Sequence, residues 1–251
     1  MGNLNGKIAV VTGGSRDIGR AISIKLAKEG AKVVVNYFNS ESAAKETVEE
    51  IKSLGQEAIA VKADVSNLND IAALKAKVVE VVGAKIDILV NNAGGLFARK
   101  TLEEFDEAFY ELVMGVNFKS IVFVSQAFEP LMQKGASIIN ISSQAARDGG
   151  GGGSALYSSS KGAVTTFTRA MAKELGPKGI RVNAVCPGLI GTKFHDDFTQ
   201  DEIREKVAAG TPLRREGNAE EVADLVSYLA SDEASFINGN NIDINGGLAF
   251  S

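Results

Sequence analysis

The chain has 251 residues, of which 45% are hydrophobic and 23% are charged, and its formal net charge is −4. This size and composition fit a globular protein of one large α/β domain or two small ones, with a sizeable core. The acidic balance argues against a surface that binds nucleic acid or an anionic membrane.

The sequence shows no targeting or membrane-spanning signal. The start, from Met1 to Lys7, lacks the apolar segment of a signal peptide, and Gly6 stands where a myristoylation signal has Ser or Thr. No apolar run approaches the roughly 18 residues that span a bilayer. Cys186 is the only cysteine, which excludes an internal disulfide and fits a reducing compartment. We therefore expect a cytoplasmic protein.

Short apolar runs alternate with longer amphipathic runs along the whole chain. The strand-like runs cover 8–12, 32–36, 58–63, 86–91, 137–142, 180–186 and 241–245. The helix-like runs lie near 17–29, 40–53, 67–82, 104–133, 156–176 and 218–230. Most strand-like runs are apolar on successive residues, as in a parallel sheet covered on both faces. The alternation, without a linker or repeat, predicts one α/β domain with a doubly wound parallel sheet flanked by helices.

The first predicted strand leads into a glycine-rich turn, Thr12 to Gly19, and then into a helix. Gly13 and Gly19 let the backbone approach a pyrophosphate, while the following helix N-terminus offers free N–H groups. A glycine turn can also be a plain connection, but its position after the first strand favours cofactor binding.

Tyr157 and Lys161 lie four residues apart on the predicted helix 156–176 and point to the same side of it. The apolar stripe of that helix consists of Val164, Phe167, Met171 and Leu175. A nearby ammonium stabilises the phenolate and lowers a tyrosine pKa of about 10. Tyr157 would thereby become a usable proton donor and acceptor, and a hydroxyl from the preceding loop would polarise a carbonyl oxygen at the same point.

Together these motifs resemble the short-chain dehydrogenase/reductase family. The resemblance covers nearly the whole chain in the family's order: Thr12-Gly13 and Gly19, Asn91-Asn92-Ala93-Gly94, Asn117, Ser143, Tyr157 and Lys161, Pro187 to Thr192, and Asn245-Gly246-Gly247. It implies a single NAD(P)-binding Rossmann domain over residues 1–251, with a seven-stranded sheet and a substrate lid around 190–212. A nicotinamide cofactor and a homotetramer are also implied.

The resemblance assigns the catalytic roles to Asn117, Ser143, Tyr157 and Lys161. Ser143 would hold the substrate oxygen, Tyr157 would protonate it, and Lys161 would hold the nicotinamide ribose. The backbone carbonyl of Asn117 would bind a water that continues the proton relay. Ser142 stays an alternative to Ser143, because the following loop is one residue longer than the common family spacing. The 149–153 glycine run is the expected insertion and a mobile rim.

The resemblance also marks the cofactor-binding positions. They are Gly13, Ser15, Arg16, Asp17, Ile18, Gly19, Tyr37, Asn39, Ser40, Asp64, Val65, Asn91, Ala93, Gly94, Tyr157, Lys161, Pro187, Gly188, Ile190 and Thr192. Asp64 would meet the adenine, or else form a turn or cap the next helix. Asn91 is expected to face the cofactor, and Asn92 to have a structural role. The Ile190 backbone and the Thr192 hydroxyl would bind the carboxamide.

Asp17 departs from the family pattern, which usually has a glycine at this position. As a helix N-cap it would stabilise the helix, but its charge would weaken pyrophosphate binding unless the side chain turns away. Arg16 would offset that charge. No acid follows the second strand until Glu41. Since an acid there would bind a ribose 2′-hydroxyl and repel a 2′-phosphate, we expect NADP(H), with Arg16 pairing the phosphate, over NAD(H).

The substrate is expected to be a small carbonyl compound. The chain looks most like 3-oxoacyl-[acyl-carrier-protein] reductases, and Arg99 and Lys100 would contribute a basic patch for an acidic carrier protein. The acidic side chains of the lid point instead to a keto sugar, a keto-uronate or a simple ketone; they are Asp196, Asp197, Asp201 and Glu202. A non-catalytic cofactor-binding regulator is the competing class.

No spacing of His, Cys and carboxylates suggests a metal site. The only histidine, His195, lies in the lid and is expected at the surface.

Overall fold

The computed structural model describes residues 3–250, apart from the side chains of residues 195 and 197, so that the prediction for His195 lies outside the described residues. Seven parallel strands form one sheet in the order β3-β2-β1-β4-β5-β6-β7. The strands are β1 Ile8–Val11, β2 Lys32–Tyr37, β3 Ala58–Lys62, β4 Ile86–Asn91, β5 Met132–Ile141, β6 Arg181–Pro187 and β7 Asn241–Ile244. The predicted single-domain Rossmann fold is confirmed.

Helices cover both faces of the sheet. They are α1 Asp17–Lys28, α2 Glu41–Ser53, α3 Leu68–Val82, α4 Glu107–Met114, α5 Ser120–Phe128, α6 Ala145–Asp148, α7 Ala155–Leu175, α8 Lys193–Phe198, α9 Asp201–Gly210 and α10 Ala219–Ala230. A π-helical turn, Gly115–Lys119, joins α4 to α5.

The sheet separates two hydrophobic cores because successive strand residues point to opposite faces. In β1, Ala9 and Val11 pack into one core with α1 and α10, where Ile22 and Val226 are fully buried. Val10 points into the other core, beneath α3, α5 and α7. Burial on both faces explains why these strands read as continuous apolar runs.

The order in which strands are added to the sheet reverses at β1. β1 pairs with β2 on one side and with β4 on the other. Successive units therefore wind in opposite directions, and the loops after β1 and β4 separate at the carboxyl ends of these strands. Such a switch point leaves a crevice that holds ligands.

Three segments differ from the sequence-based prediction. The expected helix 104–133 is divided by the π-helical turn, in which the N–H of Ser120 donates to the carbonyl of Gly115. β5 begins at Met132, earlier than expected, with an irregularity in its register against β4. The 190–212 segment contains α8 and α9, which lacked a strong apolar period and were not predicted.

Among the described residues, the run Glu107–Leu131 is long and apolar enough to cross a membrane by length and composition alone. The prediction that no run approaches this length missed it. Val124 and Phe128 of this run are buried in the core beneath the sheet. These residues of the run therefore pack into the hydrophobic core of the protein.

Candidate active site

A cleft of about 650 Å³ opens at the carboxyl ends of the strands, where the topology places a crevice. Its walls come from the glycine turn after β1 and from the loops after β2, β4, β5 and β6, together with α7 and the 190–212 segment. Motifs scattered over the whole sequence therefore meet around one space.

The glycine turn forms the floor of the cleft at one end. Gly13 has φ +59°, and a Cβ on it would lie 3.1 Å from the Cα of Ala93. A Cβ on Gly19 would lie 2.1 Å from the carbonyl oxygen of Gly13, so a side chain at either position would displace backbone. The amide of Asn92 donates to the carbonyls of Thr12 and Gly13, both at 3.0 Å. Asn92 thus has the structural role of fixing the turn against the end of β4.

Asp17 does not act as the N-cap of α1, and that prediction was wrong. Arg16 occupies the N-cap position, and Asp17 is the first helical residue, with φ +50°. Oδ1 of Asp17 instead accepts a hydrogen bond from the backbone N–H of Lys193, at 3.0 Å. The carboxylate is therefore engaged by the 190–212 segment, at the start of α8.

Among the described residues that line the cleft, those at the end of β2 and in the loop after it include no acid. The described lining in this region includes Ser15, Arg16, Tyr37, Phe38, Asn39 and Ser40. Glu41, the first acid after β2, is paired with Lys45 at 2.7 Å. Arg16 is exposed and takes part in none of the ion pairs between the described residues. An anionic group bound here would meet an unneutralised guanidinium.

Three predicted cofactor residues, Asp64, Val65 and Asn91, lie outside the lining of the cleft. The Asp64 carboxylate accepts from the N–H and the hydroxyl of Ser66, at 2.9 and 2.7 Å, as in the alternative of a turn cap. Val65 is buried. The Asn91 amide donates to Asn140 Oδ1 at 2.9 Å, so its side chain faces the core between β4 and β5 and not the cleft, contrary to expectation.

The cleft wall opposite the glycine turn carries Ser143, Tyr157 and Lys161. Lys161 is only 3% exposed, and its ammonium donates to the carbonyl of Ile141 at 2.8 Å. It lies 5.8 Å from the centroid of the Tyr157 ring, one turn away on α7. The Ser142 hydroxyl donates to the carbonyl of Lys161 at 3.0 Å and is buried. Ser143 is thus the serine whose hydroxyl neighbours the phenol, while Ser142 anchors α7.

Burial controls the protonation of this cluster. It lowers the pKa of Lys161 from 10.5 to about 8, because the charged ammonium is shielded from water. It also raises the pKa of the Tyr157 phenol, and the Ser143 hydroxyl only partly opposes this. The sequence-based expectation of a phenol pKa lowered by Lys161 is therefore reversed in this structure. The Tyr157 phenol therefore keeps its proton at neutral pH.

Asn117 lies in the π-helical turn and is fully buried. Its amide exchanges two hydrogen bonds with the backbone of Gly95, each 2.8 Å long. This fixes the loop after β4 close to Lys161, since a Cβ on Gly94 would lie 2.7 Å from Asn117 Oδ1 and 3.1 Å from Lys161 Nζ. The π-helical turn thus places a polar side chain beside the buried ammonium.

The loop after β6 closes the far end of the cleft with Pro187, Gly188, Ile190 and Thr192. A Cβ on Gly188 would lie 2.6 Å from the Cβ of Asn245, so that only glycine fits there. The Thr192 hydroxyl donates to the carbonyl of Ile190 at 3.2 Å.

Apolar side chains that the sequence did not single out line the mouth of the cleft. They are Leu96, Phe97, Phe194, Ile203, Val207 and Leu248. The Phe194 ring lies 5.8 Å from that of Tyr157, measured between centroids. No local motif marks these positions, because they come from the β4 loop, from α8 and α9, and from the C-terminal segment.

The 149–153 glycine run is hydrogen-bonded, in contrast to the expected mobile rim. The Ser154 hydroxyl donates to the carbonyl of Gly151 at 2.6 Å, and the Ser158 hydroxyl donates to that of Gly149, also at 2.6 Å. Both serines lie on or next to α7, so the run is fixed to the helix that carries Tyr157.

No group of three or more His, Cys, Asp or Glu side chains suited to a metal ion occurs in the part of the chain that the structure describes.

A parallel sheet with a glycine turn at its crevice, facing a buried tyrosine and lysine, is the arrangement of an oxidoreductase that uses a nicotinamide dinucleotide. The family described as enoyl-(acyl carrier protein) reductase matches residues 13–249. The chain belongs to the short-chain dehydrogenase/reductase family. It is an NAD(P)-dependent oxidoreductase that acts on carbonyl or CH–OH groups.

The similar proteins include reductases of known name. Versicolorin reductase 1 from Aspergillus parasiticus is 42% identical over an alignment of 259 residues that covers 97% of this chain and 97% of that protein. A short-chain dehydrogenase from Burkholderia cenocepacia in complex with NADP has 34% identity and a TM-score of 0.92, over 98% of this chain and 99% of that one. The angucycline C-6 ketoreductase LanV with bound NADP has 36% identity and a TM-score of 0.92, over 98% and 97% of the two chains.

Proposed function

We propose that this protein reduces a ketone on an apolar body to a secondary alcohol, with NADPH as the reductant. The observation that carries the proposal is the meeting of Ser143, Tyr157 and Lys161 on one wall of a cleft whose mouth is apolar. The bound cofactor supplies the hydride. The chain's own residues orient the carbonyl and provide the proton.

Each polar residue then has a defined role. The Ser143 hydroxyl holds and polarises the substrate oxygen, and the Tyr157 phenol gives that oxygen its proton. Because burial raises the phenol pKa, the protonated form required for reduction predominates at neutral pH. Lys161 holds the ribose of the nicotinamide. Asn117 fixes the loop after β4 beside Lys161 and relays protons through a water on its backbone carbonyl.

The residues of the cleft fit a dinucleotide. A backbone floor without side chains at Gly13 and Gly19 admits the pyrophosphate, and the Gly188 turn admits the nicotinamide. The exposed Arg16 and the absence of an acid among the described lining residues after β2 support binding of a 2′-phosphate. NADP in the similar structures from Burkholderia and in LanV supports the same preference.

Arg16→Ala tests the cofactor preference. It should raise the KM for NADPH by at least about tenfold, since a charge-assisted contact contributes about 1.5–3 kcal/mol. The KM for NADH should change little. A wild-type preference for NADH, or an equal loss with both cofactors, would contradict the proposal.

The apolar mouth favours a ketone on an aromatic or aliphatic body over a sugar. Binding to an acidic carrier protein is not supported, because the proposed basic patch is already engaged. Arg99 donates to the carbonyls of Phe198 and Gly152 at 2.9 and 2.8 Å. Lys100 pairs with Asp106 at 3.4 Å. The name of LanV, a ketoreductase, agrees with this choice.

Tyr157→Phe tests the chemistry. The variant should lose at least about a hundredfold in kcat, because general acid catalysis contributes 10²–10⁴-fold, while NADPH binding stays close to that of the wild type. NADPH oxidation with 1-tetralone, an acetoacetyl thioester and a keto sugar identifies the substrate class. Wild-type rates in Tyr157→Phe would eliminate the proposed donor.

A non-catalytic cofactor-binding regulator is the alternative. It would bind NADPH in a titration and turn over none of these carbonyls. The protonated Tyr157 beside Ser143 favours the enzyme. We further propose that the protein is cytoplasmic and a homotetramer, as its family resemblance implies; sedimentation of the purified protein tests the assembly.

A further inference from the structure

We propose that Asp17 and Arg99 are positioning residues that hold α8 closed over the cleft from its two ends. The proposal rests on the proposed function and on the expectation from the family resemblance that the 190–212 segment is the substrate lid. It gives a role to the aspartate that replaces a family glycine and to an arginine that no motif marked.

The first residue of α8 is held from the cofactor side of the cleft. Asp17 Oδ1 accepts from the N–H of Lys193 at 3.0 Å, across 176 residues of sequence. The free N–H groups of a first helical turn need such an acceptor. Asp17 adopts φ +50° at this site, a conformation that asparagine and aspartate tolerate better than most residues.

The last residue of α8 is held from the substrate side. Arg99 Nε donates to the carbonyl of Phe198 at 2.9 Å, and its Nη1 donates to the carbonyl of Gly152 at 2.8 Å. The glycine run approaches Arg99 this closely only because Gly153 has no side chain, since a Cβ on Gly153 would lie 2.9 Å from the Cβ of Arg99. One guanidinium therefore joins the lid, the β4 loop and the glycine run.

Closing α8 has a direct consequence at the reacting atoms. Phe194, in the first turn of α8, packs its ring 5.8 Å from the Tyr157 ring and lines the cleft, as Thr199 does just after α8. A lid held at both ends covers the phenol and excludes water from the carbonyl. If either contact is lost, α8 is held at one end less, while the other contact, the Phe194–Tyr157 ring contact and the 2.6 Å bond from Arg204 to Asp196 remain.

Two substitutions at Asp17 separate the effect of its hydrogen bond from the effect of its charge. Asp17→Gly removes the acceptor and suits φ +50°, so the variant should fold at least as well as the wild type. Asp17→Asn keeps an acceptor oxygen but removes the charge. If the contact with Lys193 matters, asparagine should rescue what glycine loses. If charge near the phosphates matters, both variants should behave alike.

Trypsin cleavage after Lys193 in the NADPH-loaded protein measures lid opening without any turnover. Asp17→Gly should be cleaved about tenfold faster than the wild type. A hydrogen bond to a charged group contributes about 1.5–3 kcal/mol, and because Asp17 is exposed we expect its bond to contribute the lower value. Asp17→Asn should be cleaved like the wild type. Arg99→Ala should match Asp17→Gly, whereas Lys100→Ala, one residue away and bonded to Asp106, should not.

Kinetics complete the test. Asp17→Gly and Arg99→Ala should each raise the KM for the ketone severalfold while the affinity for NADPH is unchanged or higher. Together they should lose less than the product of the two effects, since both hold the same helix. Wild-type cleavage of Asp17→Gly, or equal cleavage of the Gly and Asn variants, would overturn the inference. Because proteolysis needs no turnover, that failure is distinct from an active Tyr157→Phe, which would overturn the proposed function.

Discussion

Replacing Lys161 with methionine should stabilise the cofactor-free protein while it removes turnover. Lys161 is 3% exposed, and burial lowers its pKa from 10.5 to about 8. Since each pKa unit corresponds to about 1.4 kcal/mol, the buried ammonium costs the fold about 3 kcal/mol at pH 7. Methionine has a similar length and no charge to desolvate.

The gain is reduced because the carbonyl of Ile141 loses the 2.8 Å hydrogen bond from the ammonium. An unsatisfied buried acceptor costs about 1–3 kcal/mol, which leaves a net stabilisation of up to about 2 kcal/mol. For a chain of this length, 1 kcal/mol shifts the Tm by about 2–4 °C, so we expect a rise of up to about 8 °C. Lys173→Met is the matched control, because Lys173 is an exposed lysine on the same helix.

The pH dependence identifies the cause. The folded pKa lies below the ordinary value, so the lysine costs stability in full below about pH 8, and the cost fades as the pH rises toward 10.5. In thermal unfolding without cofactor, Lys161→Met should therefore have a higher Tm than the wild type at pH 7, and most of this difference in Tm should be gone by pH 10. A lower Tm for the variant at pH 7, or an advantage that does not change with pH, would refute the reasoning.

Three further predictions concern turnover. The kcat for ketone reduction should fall as the pH rises through about 8, where Lys161 loses its proton; a profile flat to pH 10 would argue against this. Ser143→Ala should lower kcat by about 10²–10³-fold, as removal of an oxyanion donor does, whereas Ser142→Ala should mainly lower stability, by about 1 kcal/mol. Equal kcat losses would contradict that division. Gly94→Ala should reduce kcat strongly while the expression level stays unchanged, because the new Cβ would lie 2.7 Å from Asn117 Oδ1. A near-normal kcat would contradict this, since it would show that the loop after β4 can move to accommodate the methyl group.

Much of the fold follows from the sequence alone. Continuous apolar runs can only be buried between two layers of helices, and their alternation with amphipathic runs requires a parallel sheet. The glycines of the first turn and the spacing of Tyr157 and Lys161 are equally local, since a turn or a single helical period sets their geometry. For these features the sequence predicted the elements and their order correctly.

The rest depends on contacts between residues far apart in the chain. Which of Ser142 and Ser143 neighbours the phenol depends on the packing of α7 against the end of β5, where Ser142 bonds the carbonyl of Lys161. The reversed pKa shift of Tyr157 depends on burial, which no spacing reveals. The partner of Asp17 lies 176 residues away, on a helix with no strong apolar period of its own. Local patterns specify the backbone elements, whereas burial and long-range packing set the charge, orientation and partners of the side chains that line the cleft.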